Sequence, residues 1–293
     1  MTILNHKIDF AVVLTVRNAN PNGDPLNGNR PRQNYDGYGE ISDVCIKRKI
    51  RNRLQDMGQS ILVQSDERRN DSFRSIKDRV DNNEELQKYA KGKTKDNFMY
   101  SKIACESWVD VRSFGQVFAF GKEGNDDAIS IGIRGPVSIH TAVSLAPIDI
   151  TSMQITKSVN STTNKKDPNK KTPDTMGMKH RVDFGVYVFY GSINTQLAEN
   201  TGFTIKDSEK IKESLITLFE NDTSSARPDG SMEVNKVFWW EHNTKIGQYS
   251  SAKVHRSLDI QLKEGKNEAK SFEDYEITLH ELEGLEVVEY DGL

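Results

Sequence analysis

The amino-acid sequence predicts an α+β fold of the ferredoxin-like type, interrupted by insertions. Three observations lead to this prediction. Short apolar segments typical of strands recur along the chain, two amphipathic helices lie among them, and polar or glycine-rich stretches separate these elements. The chain has 293 residues, of which 35% are hydrophobic and 28% are charged. This composition suits one large domain with insertions or two modest domains.

The first predicted strand covers residues 9–17, a nearly continuous apolar run that indicates burial on both faces. Residues 18–40 follow with four glycines and three prolines, too many for periodic structure. A loop of this length in a compact protein is usually either functional or disordered. We favour a function, because the loop leads directly into the clearest helix of the chain.

That helix is predicted over residues 42–57, with Ser42 or Asp43 as its N-cap and Gly58 at its end. Its apolar stripe consists of Ile46, Ile50, Leu54 and Met57. Its remaining faces carry five cations, which are Lys47, Arg48, Lys49, Arg51 and Arg53. The helix dipole disfavours cations near the N-terminus, so the pattern favours a phosphate-binding face over a merely solvated one. On this interpretation, reversing the charges of Lys47 and Arg51 weakens binding without unfolding the protein.

The later elements follow the same hydrophobic patterns. Residues 59–106 carry charges of both signs and read as an inserted, largely helical subdomain. In chain order we then predict a strand with a glycine bend at 110–120, a strand at 137–145, an alternation beginning at 153, a strand at 182–190, a helix capped by Asp207 or Ser208, and a strand at 234–240.

Charge is distributed unevenly along the chain. The net charge is -3, yet residues 266–293 contain nine acids against two lysines, which leaves residues 1–265 with a charge of +4. A basic body of this kind fits a polyanionic partner. We expect the acidic end to face solvent or to discourage self-association in the wrong register.

Residues 151–181 form the most informative irregular segment. They carry seven cations against two acids, and methionine and isoleucine side chains lie at the two ends of the segment. A long basic hairpin with apolar flanks is suited to lie along a nucleic-acid backbone and wedge bases apart. The alternative is a solvated, disordered loop, which composition alone slightly favours.

Several classes of protein are poorly supported. The glycine-rich loop lacks phosphate-binding fingerprints, no two of the six histidines are four residues apart, and Cys45 and Cys105 form no CxxC pair. We therefore predict no catalytic residues, no metal and no cofactor. The chain also lacks an apolar run of about 18 residues and the order of a signal peptide, which predicts a cytoplasmic protein without membrane contact. His180 could stack on a base, and of Trp239 and Trp240 one is expected in the core.

Seven blocks of the sequence resemble the type I-C Cas-seven family of the RAMP superfamily, the backbone subunits of CRISPR Cascade. They are residues 20–25 (NPNGDP), 29–32 (NRPR), 42–52 (SDVCIKRKIRN), 110–115 (DVRSFG), 134–137 (RGPV), 175–180 (TMGMKH) and 241–247 (EHNTKIG). The blocks occur in order over about residues 9–256. The first block is also similar in type I-B relatives, so the subtype rests mainly on the later ones.

The resemblance implies a modified RNA-recognition-motif palm at 1–58, 109–150 and 182–293, a helical fingers insertion at 59–108, and a thumb hairpin at 151–181. It implies a non-catalytic subunit that polymerises along a guide RNA in a helical filament and meets the target DNA strand through the guide. The implied partners are further copies of the chain and the Cas-five, Cas-eight and small-subunit types. The implied RNA-binding residues are Lys47, Arg48 and Arg51 on the helix, Arg30, Arg32 and Arg112 as additions, and Met176, Lys179 and Arg181 at the thumb base.

Two alternatives stay open at this point. One is a metal-independent endoribonuclease that processes guide precursors, using His180 with Tyr187 or Lys179 for proton transfer. The other is a generic single-strand RNA-binding protein outside CRISPR.

Overall fold

An antiparallel sheet of eight strands forms the centre of the computed structural model, which describes residues 2–90, 94–120, 129–159 and 176–293. The strands are β1 (Ile8–Ala19), β2 (Gly23–Asp24), β3 (Arg30–Pro31), β4 (Tyr38–Ile41), β5 (Gly115–Phe120), β6 (Ile129–Arg134), β7 (Val137–Ile139), β8 (Ala142–Pro147), β9 (Ile150–Thr156), β10 (Met176–Ile193), β11 (Met232–Glu241), β12 (Leu258–Leu262), β13 (Tyr275–Leu279) and β14 (Val287–Asp291). The helices are α1 (Asp43–Asp56), α2 (Ile76–Asp81), α3 (Glu84–Gln87), α4 (Asn97–Ser107), α5 (Val109–Phe114), α6 (Thr195–Thr201), α7 (Ile205–Ile216) and α8 (Ser251–His255).

The sheet order is β14-β11-β1-β10-β8-β4, and β7 and β9 also pair with β10. Strands β1 and β10 lie at the centre and pair from Ile8 with Ile193 to Ala19 with Val182. Their apolar side chains alternate between two hydrophobic cores, one on each face of the sheet. The near-continuous apolar run predicted for the first strand is therefore explained by cover on both faces.

The two cores have different covers. Helices α1, α6 and α7 pack on one face, and α8 with the β12–β13 hairpin packs on the other. Neighbouring residues of a strand point to opposite faces, so Trp239 enters the first core and Trp240 the second. The prediction that only one of the two belongs to the core is wrong, because the second face is also covered.

The acidic C-terminal segment is part of the fold. Strand β13 pairs with β12, and β14 pairs with β11 at the edge of the central sheet. Tyr275 and Leu285 are buried in the second core. Most of the acidic side chains face solvent, including Glu281, Glu283 and Glu289. Asp274 is an exception, because its side chain is only 13% exposed and pairs with Lys266.

Helix α1 has the predicted cap, since the Ser42 side chain accepts a hydrogen bond from Cys45 N. For α7 the predicted cap is wrong. Thr204 caps that helix, and Asp207 occupies the third position, where its carboxylate accepts from Thr204 N in a capping box. Helix α6, capped by Asn194, was not predicted.

The strand predicted at 110–120 is a helix in its first half and a strand in its second. Asp110 accepts hydrogen bonds from the backbone nitrogens of Leu62 and Val63, which fixes α5 against the inserted subdomain. The helix ends at Gly115, whose φ of 79° lies in the left-handed region. The strand predicted at 137–145 is likewise divided into β7 and β8, which pair with different parts of β10.

The inserted subdomain contains α2, α3 and α4 and has a hydrophobic core of its own. That core takes in Leu62, Val80 and Tyr100, and also Phe118 of β5 and Ile131 of β6. Its packing thus extends past residue 108, where the sequence places the end of the insertion. The glycine-rich loop also departs from its prediction, because it includes the short strands β2, β3 and β4. In the described parts of the chain, no helix is long and apolar enough to cross a membrane.

Candidate nucleic-acid interface

Four of the five cations of helix α1 are paired with acids of the same chain. Lys47 Nζ lies 2.9 Å from Asp43 Oδ2, and the buried Lys49 pairs with Asp222. Arg53 lies 2.9 Å from Asp56. The cost of placing cations near the helix N-terminus is therefore offset inside the protein.

Arg51 and Arg48 connect α1 to the inserted subdomain. Arg51 Nε donates to Asp110 Oδ2 over 3.0 Å, and the Asp110 side chain is fully buried. Arg48 Nη1 donates to Val63 O over 2.6 Å, and burial lowers the pKa of Arg48 below its ordinary value. These two arginines hold elements together, and a role in RNA binding stays a prediction for both.

Arg112 has a comparable internal role. Its guanidinium donates to both oxygens of Asp207, over 3.0 and 2.9 Å, and to Cys105 O over 2.7 Å. Burial raises the pKa of Asp207, but the hydrogen bonds and charge of Arg112 and the capping bonds of Thr204 outweigh it and hold that pKa below its ordinary value. The pair joins α5 to α7.

The root of the β9–β10 hairpin is a different environment. The two strands pair from Val182 with Ile150 to Met176 with Thr156. Arg30 Nη1 donates to Ser152 Oγ over 2.8 Å, and His180 Nδ1 lies 2.8 Å from the same oxygen. The structure thus brings the glycine-rich loop to the hairpin, which spacing along the sequence did not predict.

The charge balance at this root differs from that of α1. In the described parts of the chain, no carboxylate forms an ion pair with Arg30 or Lys179. Arg32 lies 3.6 Å from Asp24 and stays 38% exposed. Arg181 lies 3.5 Å from Asp183 and is half-buried. The root therefore has positive charge available for a phosphate backbone.

Large apolar side chains lie in solvent on the outer part of the hairpin. Met176 is 64% exposed, Met178 55% and Ile155 50%. Among soluble proteins a group of exposed apolar side chains marks an interaction surface more often than a single one does. The middle of the predicted thumb, residues 160–175, lies outside the described residues.

The family model described as CRISPR-associated protein Cas7 matches residues 6–280. The chain belongs to the Cas7 family. A curated protein of the same description from Haloferax volcanii is 29% identical over 240 residues, which cover 77% of this chain and 67% of that protein.

Three solved assemblies contain chains that align with this Cas7 protein at low similarity. They are a CRISPR RNA-guided surveillance complex (TM-score 0.44, 15% identity, 80% of this chain and 68% of that chain), a pre-nicking CRISPR RNA-guided surveillance complex (0.46, 15%, 80% and 75%), and a Type III-B Cmr-beta complex bound to cognate target RNA (0.41, 11%, 79% and 60%). The family assignment rests on the family model.

Within this Cas7 chain the side chains proposed for nuclease chemistry do not come together. Tyr187 is fully buried, and burial raises the pKa of its hydroxyl. It lies seven residues from His180 along the extended strand β10, a distance of about 23 Å at roughly 3.3 Å per residue. Lys179 is the neighbour of His180 on that strand and so faces the opposite side. In the described parts of the chain, no three His, Cys, Asp or Glu side chains could hold a metal ion.

Two exposed side chains of this Cas7 surface, Leu26 and Tyr35, were not predicted from the sequence. Leu26 is 98% exposed on a one-turn 3-10 helix at Pro25–Asn27, and Tyr35 is fully exposed in the turn before β4. The turn signature was visible in Asn34 and Gly37, which are typical of tight turns. The exposure of the ring between them required the structure.

Proposed function

We propose that this chain is a non-catalytic backbone subunit that binds the guide RNA of a CRISPR RNA-guided complex. The observation that carries the proposal is the match of the Cas7 family model to residues 6–280. Several copies polymerise along one guide in a helical filament, and the target DNA strand is read by base pairing with the guide.

The finer proposal is a type I-C Cascade, whose other subunits are of the Cas-five, Cas-eight and small-subunit types. The sequence blocks at 110–115, 134–137 and 241–247 support this subtype. In that architecture the central sheet is the modified RNA-recognition-motif palm, the inserted helical subdomain is the fingers, and the β9–β10 hairpin is the thumb.

The hairpin root is our first candidate for contact with the guide. Arg30 and Lys179 at the root have no described carboxylate partner, and Met176 and Met178 are exposed on the outer part of the same hairpin. Arg51, Arg48 and Arg112, by contrast, are engaged inside the chain, so a phosphate would have to compete with their present partners. Arg32 and Arg181 are intermediate, because their ion pairs are long and part-exposed.

Titration of labelled single-stranded repeat RNA with the purified protein tests this assignment. We expect Arg30→Glu combined with Lys179→Glu to weaken binding, because two phosphate contacts are lost. Each lost contact should also flatten the slope of the logarithm of affinity against the logarithm of salt concentration by about 0.7. Lys206→Glu, at an exposed position on α7, is the charge-matched control. An unchanged affinity and salt slope in the double variant would remove the hairpin root from the interface.

The same RNA tests the non-catalytic assignment. We expect it to stay intact with or without magnesium, since His180 and Tyr187 lie far apart and the hydroxyl of Tyr187 is buried. Cleavage that disappears in His180→Ala would replace this proposal with the metal-independent endoribonuclease.

Replacement of residues 158–175 by a short Gly-Ser linker tests the thumb assignment. Strand β10 keeps its core positions, including Val186 and Phe189, so we expect the sheet to fold. Long guide-bound filaments should be lost, which electron microscopy would show as short or irregular particles. Regular filaments would show that this segment is not the thumb, and a failure to fold would show that its boundaries are misplaced.

A further inference from the structure

The turn at residues 34–37 holds a large aromatic ring in solvent at a fixed point. The side chain of Tyr35 is fully exposed. The Asn34 carbonyl side-chain oxygen accepts from Asp36 N over 3.0 Å and from Tyr38 N over 2.9 Å. Gly37, with φ of 82°, closes the turn by donating to Asn34 O over 3.2 Å. The backbone under the ring is thus ordered before any ligand binds, which lowers the entropy cost of binding.

This turn is attached to the segment that leads into β9. Gln33 Nε2 donates to Gly37 O over 3.1 Å and to Ile148 O over 3.0 Å. Ile148 N in turn donates to Gly37 O over 3.0 Å. Strand β9 begins two residues later, so the turn that carries Tyr35 is fixed to the root of the hairpin.

The charges in this region select the class of ligand. Arg30 and Lys179 have no ion pair with a described carboxylate, and the ion pair of Arg32 is long and part-exposed. The acids nearest to these cations along the sequence are Asp24, Asp36 and Asp183, and of these Asp24 forms the ion pair with Arg32. Basic side chains bind phosphates, and an exposed aromatic face can stack on any of the bases. A protein partner would instead require a contiguous apolar patch, whereas the neighbours of Tyr35 in the chain, Asn34 and Asp36, are polar.

We propose that Tyr35 stacks on an unpaired nucleobase of the RNA that lies across the hairpin root. The inference rests on the proposed function, because it assigns a further contact to the same RNA. The stacking ring supplies what an RNA-recognition sheet normally presents on its strands, and here the ring is presented from a loop at the sheet edge.

Binding of single-stranded RNA to side-chain variants gives the first test. The free energy of stacking between a base and an aromatic side chain is large enough that Tyr35→Ala should weaken RNA binding by roughly 5- to 150-fold. Tyr35→Phe keeps the ring and should bind like the unaltered protein. Phe98→Ala, at a 76% exposed aromatic residue on α4, is the matched control and should have no effect. Equal affinities for the alanine and phenylalanine variants of Tyr35 would overturn the proposal.

Fluorescence gives the second test, because the natural Trp108, Trp239 and Trp240 are buried. In the variant Tyr35→Trp, single-stranded RNA should quench the emission of the exposed indole, and RNA of the same length with abasic sites should not. Equal quenching by both RNAs, or none by either, would overturn stacking. If the Tyr35 variants bind RNA normally but fail to form long filaments, the ring contacts another copy of the chain instead.

The two proposals fail in distinguishable ways. If the unaltered protein binds no RNA, the proposed function and the stacking role are both wrong. If the unaltered protein binds RNA and Tyr35→Ala binds equally well, only the stacking role is wrong.

Discussion

The Arg51–Asp110 ion pair allows the structural and RNA-binding interpretations of helix α1 to be separated. The Asp110 side chain has no exposed surface and that of Arg51 is 13% exposed. Asp110 also accepts hydrogen bonds from Leu62 N over 2.8 Å and Val63 N over 3.1 Å. Arg51→Ala would leave a buried carboxylate with these two donors but without its cation.

The expected loss of stability follows from this geometry. Breaking one side of a buried ion pair costs about 3–5 kcal/mol. The two retained backbone donors place Arg51→Ala at the lower end of this range, about 3 kcal/mol. For a chain of this size that loss corresponds to a fall in Tm of about 5 °C. Arg51→Glu would place two carboxylates together and should prevent stable folding. This revises the expectation, from sequence alone, that reversing this charge leaves the fold intact.

Urea unfolding followed by circular dichroism measures the effect, and Lys47→Ala is the control on the same helix. Lys47 pairs with Asp43 in a part-exposed i,i+4 arrangement, which is worth about 0.3–0.5 kcal/mol. The double variant Arg51→Ala with Asp110→Asn should be less destabilised than the sum of the two single variants, because the carboxylate no longer lacks a partner. A loss below about 0.5 kcal/mol in Arg51→Ala, together with weaker RNA binding, would refute the structural interpretation.

Two further predictions concern the sheet and its second face. Burial lowers the pKa of the His255 imidazole, so the unfolded chain binds a proton more readily. Stability should therefore fall as the pH drops below the ordinary histidine value of about 6.5; His255→Gln should reduce that slope in a urea series, whereas His280→Gln, at an exposed position, should not. Gly191→Ala would place a methyl group against the ring of Phe10 and 2.6 Å from a backbone oxygen, so it should cost about 2–3 kcal/mol. Gly177→Ala, with no atom closer than 3.6 Å, is its control in thermal unfolding, and equal Tm values would contradict the packing argument.

Local patterns predicted the elements whose causes are local. Helix α1 has its cap, its apolar stripe and its terminating residues within one short segment. The cap at Ser42 and the stripe that begins at Ile46 were therefore sufficient to predict it. The partners of Arg51 and Lys49 were not predictable, because Asp110 and Asp222 lie 59 and 173 residues away along the chain. An unpaired basic face and an internally neutralised one have the same sequence pattern.

Cover on the second face of the sheet was the other property that the sequence did not reveal. The acidic C-terminal segment has a composition typical of solvated chain, yet Val287 and Tyr290 lie on a strand paired with β11. Strand β13 of the same segment pairs with β12, and this hairpin covers the second face of the sheet, which explains why Trp240 is buried as well as Trp239. The turn around Tyr35 could be predicted from Asn34 and Gly37, whereas its attachment to the hairpin root could not.

The proposal that this Cas7 chain is a guide-RNA-binding backbone subunit can be tested directly. The most direct measurement is to purify the chain after expression with its neighbouring CRISPR components and to determine the length and sequence of any RNA that copurifies. We expect one uniform, guide-sized RNA species bound by several copies of the chain. Copurification of RNAs of mixed length and origin, or of no RNA, would contradict it.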